Sequence, residues 1–163
     1  MDEKLPFSGA SSIGRNRYRL VAFLLNEQRY ALFLSAVERI VRAVEVTALP
    51  KAPEIVLGVV NMRGQIIPVI NVRKRFHLPG KEIDLSDQFL IAHTSTRIVG
   101  LAVDAVLGVI ERAAEEVISV QKIVPGIEYV VGIVRLQDGM ILIHDLDKFL
   151  SLDEERVLNE AMA

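Results

Sequence analysis

The 163-residue sequence has no cysteine and no tryptophan. Without thiols there is no disulfide scaffold, no thiolate metal site and no cysteine nucleophile. No apolar run approaches the about 18 residues that a membrane-spanning helix needs. The opening residues Met1-Asp2-Glu3-Lys4-Leu5-Pro6 are charged and lack the apolar core of a secretory signal. An excess of positive charge is also missing: the formal net charge is −2, which argues against generic nucleic-acid binding. The ten glycines form neither G-x-G-x-x-G nor G-x-x-x-x-G-K-[ST], so no local phosphate cradle is encoded. G-x-S-x-G and H-E-x-x-H are absent too. The expectation is a cytoplasmic protein that does not insert into membranes, binds no nucleic acid, metal or cofactor, and is not an enzyme.

Hydrophobic residues make up 51% of the chain and charged residues 25%, which fits one domain or two very small ones sharing a core. Charge is uneven along it. Residues 1–81 hold 13 Lys/Arg against 6 Asp/Glu, and residues 82–163 hold 6 against 15. That split is either an accident of surface composition or the mark of two different partner faces.

Residues 1–14 are small and polar and read as a flexible tail. Residues 15–150 then carry β patterning. Tyr18–Leu25 and Arg29–Leu34 flank a polar turn at Asn26-Glu27-Gln28, a hairpin pattern. Ala36–Val46 continues as a third strand or as a helix-spaced stripe. Val56–Val60 and Gln65–Ile70 form a second hairpin around Asn61-Met62-Arg63-Gly64, with Pro68 implying an edge position or a bulge. Arg73–Leu78 has room for one helical turn. Residues 151–163 open on Ser151-Leu152-Asp153-Glu154, a capping box, and read as a short C-terminal helix that docks on the body or on a partner.

The arrangement recurs. Tyr30–Val37 aligns with Val99–Val106 at an offset of 69, and Glu54–Val60 with Glu128–Val134 at an offset of 74. About five extra residues therefore fall between Glu111 and Pro125. A duplicated unit of about 70 residues is too small to bury a comfortable core alone. Two β-barrels or sheets packed on each other, with a groove between them, are expected.

Little in the chain suggests chemistry. His144-Asp145-Leu146-Asp147 is the best metal candidate, but strand alternation points His144 and Asp145 to opposite faces. The alternative for His144 is a strand-end residue with a local hydrogen bond. His93 reads as turn-proximal and His77 as solvated surface. Arg73-Lys74-Arg75 could meet phosphate or an acidic partner but lacks interleaved aromatics. The residues by themselves lead to a β-rich, duplicated binding module with exposed apolar patches.

Gly58-Val59-Val60-Asn61-Met62-Arg63-Gly64-Gln65-Ile66-Ile67-Pro68-Val69-Ile70-Asn71-Val72 closely resembles the signature of the CheW family of bacterial chemotaxis adaptors. The resemblance runs from about Arg17 to Leu150, including Arg97–Val106. It implies a mainly β fold: two five-stranded, SH3-like barrels around a shared core, followed by the C-terminal helix. It also implies a non-enzymatic adaptor at membrane receptor arrays, coupling the cytoplasmic tip of methyl-accepting chemotaxis proteins to the regulatory domain of the histidine kinase CheA. Carried over residue by residue, it places Val37, Glu38, Ile40, Asn61, Arg63, Val106 and Val109 at a receptor groove. Gly58 and Val59 go to a kinase-facing edge. One departure stands out. Val37-Glu38-Arg39-Ile40 has its acid one residue earlier than the family pattern V-x-E-[IV], with arginine at the usual acidic position. A divergent chemosensory array controlling pili, development or another output is the alternative. A small enzyme or ligand sensor using His144 and nearby carboxylates is a further alternative, as is a stand-alone scaffold that binds other barrel domains or itself in rings, with the charge split suiting head-to-tail association.

Overall fold

A computed structural model describes residues 17–120 and 129–163. The 1–14 tail, and part of the segment holding the extra residues of the second copy, lie outside the described residues. The strands are β1 (Arg17–Leu25), β2 (Gln28–Phe33), β3 (Val37–Arg42), β4 (Val56–Met62), β5 (Gln65–Ile70), β6 (Gln88–His93), β7 (Ile98–Val103), β8 (Ala105–Ala113), β9 (Val117–Ser119), β10 (Val130–Leu136) and β11 (Gly139–His144). Two helices are present, α1 (Val72–Arg75) and α2 (Leu152–Met162). No helix among the described residues is long and apolar enough to cross a membrane.

The hairpin expected from Tyr18 to Leu34 is β1–β2. Its two turn residues, Asn26 and Glu27, have φ of 49° and 69°, the handedness that matches strand twist. The stretch from Ala36 resolves into a 3-10 turn, Leu34–Ala36, followed by β3. Pro68 is not on an edge strand, because β5 lies between β4 and β7. Its ladder to β7 begins only at Val69, so the missing donor at Pro68 costs no hydrogen bond there, and the bulge falls on the partner strand β4 at Leu57.

The strands form a six-stranded sheet in the order β8-β1-β2-β11-β10-β9 and a five-stranded sheet in the order β3-β6-β7-β5-β4. At an offset of 69, β1, β2 and β3 correspond to β6, β7 and β8; at 74, β4 and β5 correspond to β10 and β11. The two orders are then the same list read in opposite copies. Each copy's first hairpin sits in the sheet built by the other. β2 pairs in parallel with β11, and β7 with β5, to join them. The isolated bridge Thr47↔Val59 takes the place that β9 holds in the second copy. Reciprocal exchange of this kind closes under a two-fold operation, so the copies are related by an approximate two-fold axis.

Burial follows this arrangement. Leu20, Ala31, Val117, Val134, Ile141 and Ile143 fill the six-stranded barrel. Val60, Ile67, Val69, Phe89 and Ile91 fill the five-stranded one. The largest cluster lies between them and draws on both, with Phe23, Leu25, Leu32, Ile70, Leu90, Leu101 and Phe149. α2 docks on this shared core rather than standing free. Leu158 is fully buried, the Ser151–Glu154 capping box is formed, and both Glu154 carboxylate oxygens accept from Arg75 at 2.7 Å.

Candidate functional site

β3 is one edge of the five-stranded sheet and β8 one edge of the six-stranded sheet. Strand alternation alone would put Val37 and Ile40 on opposite faces, and likewise Val106 and Val109. A bulge in each strand prevents this. Val37 pairs with Ala92 and Arg39 with Ile91, so Glu38 is an extra residue in β3. Phe23 pairs with Val106 and Ala22 with Gly108, so Leu107 is an extra residue in β8. Glu38 and Leu107 are 69 apart and therefore equivalent.

The bulges bring Val37 and Ile40 onto the face of Ala92 and Leu90, and Val106 and Val109 onto the face of Phe23 and Val21. All four partner residues belong to the shared core. Val37 and Val106 are half-buried against it, whereas Ile40 and Val109 are 42% and 57% exposed. The four apolar residues singled out by the resemblance thus form two equivalent pairs on one side of the junction between the barrels.

The shifted acid has a local account. Glu38 stands in the bulge, exposed, with Oε2 3.4 Å from His93 Nδ1. Arg39 faces the side of Ile91, toward the five-stranded barrel's own core. Arg63 makes no ion pair among the described residues and lies at the tip of the β4–β5 turn with a φ of 55°. Glu38 and Arg63 are therefore not partners. Asn61, also exposed, holds that turn by accepting the Gly64 N–H at 2.9 Å.

The equivalent β10–β11 tip is tied down. Arg29 donates to both oxygens of Asp138 at 3.0 and 2.7 Å, and Gln28 donates to the Met140 carbonyl. At the β4–β5 tip nothing among the described residues plays this part, and Ile66 remains 49% exposed. One copy's hairpin tip is locked, and the other presents a guanidinium with no ion pair among the described residues beside apolar surface.

Gly58 has an intramolecular reason to be glycine. Its φ is +153°, and a Cβ there would meet the Thr47 carbonyl oxygen at 2.3 Å. At its equivalent, Gly132, an added Cβ would lie 3.0 Å from Val117 Cγ1. Both glycines let a short segment lie across a bulged hairpin. Next to Gly58, the bulge residue Leu57 is exposed and borders an open apolar cavity of about 710 Å³ lined by Val44, Val46, Ile83 and Leu85. Leu57, Leu85 and Leu107 are exposed apolar residues that the sequence reading missed. Nothing in their spacing distinguishes them from core leucines.

The chemistry suggested for His144 is absent. The ring is buried with neither nitrogen hydrogen-bonded among the described residues, and it stacks on Phe76 at 4.2 Å. Burial pushes its pKa down to about 3, so it is neutral near pH 7. Asp145 instead caps the following turn through the Asp147 N–H. No cluster of three metal-ligating side chains occurs among the described residues.

Comparison with known proteins bears on this arrangement. The model of the CheW-like domain matches residues 19–154. The chemotaxis protein CheW of Treponema pallidum is 32% identical over 149 residues, covering 88% of each chain. That of Klebsiella aerogenes is 29% identical over 134 residues, covering 81% of each. The crystal structure of the scaffolding protein TtCheW from Thermoanaerobacter tengcongensis superposes with a TM-score of 0.76 at 30% identity, covering 84% of this chain and 94% of that one. Two SH3-like barrels exchanging hairpins, and a match over most of the chain, place this protein in the CheW-like domain family.

Proposed function

We propose that this protein is a non-enzymatic adaptor that couples methyl-accepting chemoreceptors to the histidine kinase CheA. The observation that carries the reading is the pair of bulged edge strands. They bring Val37, Ile40, Val106 and Val109 to one apolar strip at the barrel junction, a surface suited to a helical partner. The free β4–β5 tip adds Arg63, whose fork of donors suits carboxylates or carbonyls of that partner. Glu38 and Asn61 act there indirectly, one through His93 and the other by shaping the turn. The kinase face is the edge around Gly58 and Val59, extended by Leu57. An adaptor of this kind transmits a receptor state through differential contacts and needs no chemical step.

Co-elution on a sizing column with the receptor tip and with the kinase regulatory domain from the same genome tests this. Two binary complexes are expected. Arg63→Glu should weaken only the receptor complex, and Leu57→Glu only the kinase complex. Leu57→Glu replaces the more obvious Gly58→Asp, which would collide with Thr47 of the same chain. Absence of both complexes at about 50 μM, where even micromolar affinities register, would refute the reading. The displaced acid at Glu38 favours a second reading, an adaptor of a divergent array. In that event the kinase complex forms while receptors of the swimming pathway fail to bind.

A further inference from the structure

A groove with a two-fold axis through its floor offers the same contacts to a helix laid in either direction. Direction can come only from equivalent positions at which the copies differ. On the junction face the β3 edge carries Val37, Ile40 and Arg42, and the β8 edge carries Val106, Val109 and Glu111. The apolar positions match. The outer ones do not: Arg42 is exposed with no ion pair among the described residues, while Glu111 lies 3.7 and 3.6 Å from Arg17 and Arg19. The bulge residues differ as well. Leu107 is a 52% exposed apolar side chain, and Glu38 is an exposed carboxylate with Oε2 3.4 Å from His93 Nδ1.

These differences are arranged by end. Gln88 is the β6 partner of Arg42, and its Oε1 accepts the Val106 N–H at 2.7 Å. Arg42 and the Leu107 bulge therefore lie toward one end of the strip. The approximate two-fold puts Glu38 and Glu111 toward the other. One end offers a cation with no ion pair among the described residues, near an apolar side chain, and the other offers two carboxylates, Glu111 paired with Arg17 and Arg19 and Glu38 beside the His93 ring.

We infer that a helical partner lies along this junction in one direction only, with an acidic side chain over Arg42 and an apolar one against Leu107, and that these two residues set the direction. The inference rests on the proposed reading of the strip as the receptor site. It adds the chemistry of the matching helix: acidic and apolar at one end of its contact stripe, neutral at the other.

The chain's lack of cysteine makes the test direct, because any introduced thiol is unique. Val44→Cys and Ala113→Cys are equivalent positions beyond the two ends, 69 apart. Each is mixed with a chemoreceptor tip hairpin from the same genome bearing one cysteine, moved turn by turn along its helices. Each receptor position is expected to form a disulfide with one reporter at least about fivefold more than with the other, the ratio that about 1 kcal/mol of directional preference produces. Exchanging the equivalents (Glu38→Leu, Arg42→Glu, Leu107→Glu and Glu111→Arg together) should abolish or reverse that preference. Arg42→Glu alone breaks no ion pair among the described residues and should weaken hairpin binding about fivefold with unchanged thermal stability.

Equal crosslinking to both reporters in the native background would overturn the inference while leaving the receptor site standing. So would unchanged affinity in Arg42→Glu. Undiminished hairpin binding with no crosslink to either reporter would overturn the receptor-site reading itself, and the inference with it.

Discussion

His144 is the residue whose environment departs furthest from its chemistry. A neutral imidazole carries one donor and one acceptor, and neither finds a partner among the described residues. Tyr30, Phe76 and Phe149 surround the ring with aromatic surface instead. The folded protein resists protonating it until about pH 3, whereas the unfolded chain takes the proton near the ordinary value of 6.5. Between those values the unfolded state binds more protons, so stability falls as pH falls. Urea titrations should show a loss of about 1.4 kcal/mol per pH unit below pH 6, beyond the contribution of the carboxylates. His144→Leu should remove that component; an identical pH slope in the variant would show that the imidazole is already charged or hydrogen-bonded in the native state. The sequence reading expected a strand-end histidine with a local hydrogen bond. The strand end was legible, but the aromatic enclosure comes from residues on three separate segments.

At the scale of elements, local signals were legible wherever a motif completes itself within a few residues. The capping box of α2, the turn at Asn26-Glu27 and the β4–β5 hairpin all formed as read. Bulges were not legible, because an extra residue is defined only against the strand it pairs with. They nevertheless decide which side chains line the junction. α2 is held by one deep contact and a few polar ones. Leu158→Ala should cost about 2–5 kcal/mol, because the side chain is fully buried in the shared core. The expected signature in hydrogen exchange is loosening of α2 together with α1, since Glu154 links them through Arg75. Exchange faster in α2 alone would mean that the helix is a detachable cover.

At the scale of the whole molecule, exchanged hairpins make the copies interdependent. In the first copy, β1 and β2 pair outward with β8 and β11, and β3, β4 and β5 build around β6 and β7. Residues 1–80 alone should therefore lack dispersed amide resonances and regain them when mixed with residues 81–163. A dispersed monomeric spectrum from the first fragment would contradict the exchanged topology. Exchange also interleaves charge. Residues 37–103, which contain the five-stranded sheet, carry 9 Lys/Arg against 6 Asp/Glu, a much weaker bias than the sequence halves show. The rest of the chain carries 10 against 15, so the opposite signs on which head-to-tail association would rest persist in weaker form.

The sequence by itself determined the β character, the duplication, both early hairpins, the terminal helix and the family, because each is written in local spacing or in a contiguous motif. It also picked out four apolar positions of the junction. Only the tertiary structure decided which copy each hairpin joins, since both copies carry nearly the same hydrophobic pattern and strand pairing depends on distant partners. It likewise decided that Val37 and Ile40 share a face, that Gly58 is required by Thr47, and that one hairpin tip is tied down while its equivalent is free. Those outcomes rest on contacts between residues tens of positions apart, where spacing along the chain carries no information about distance in space.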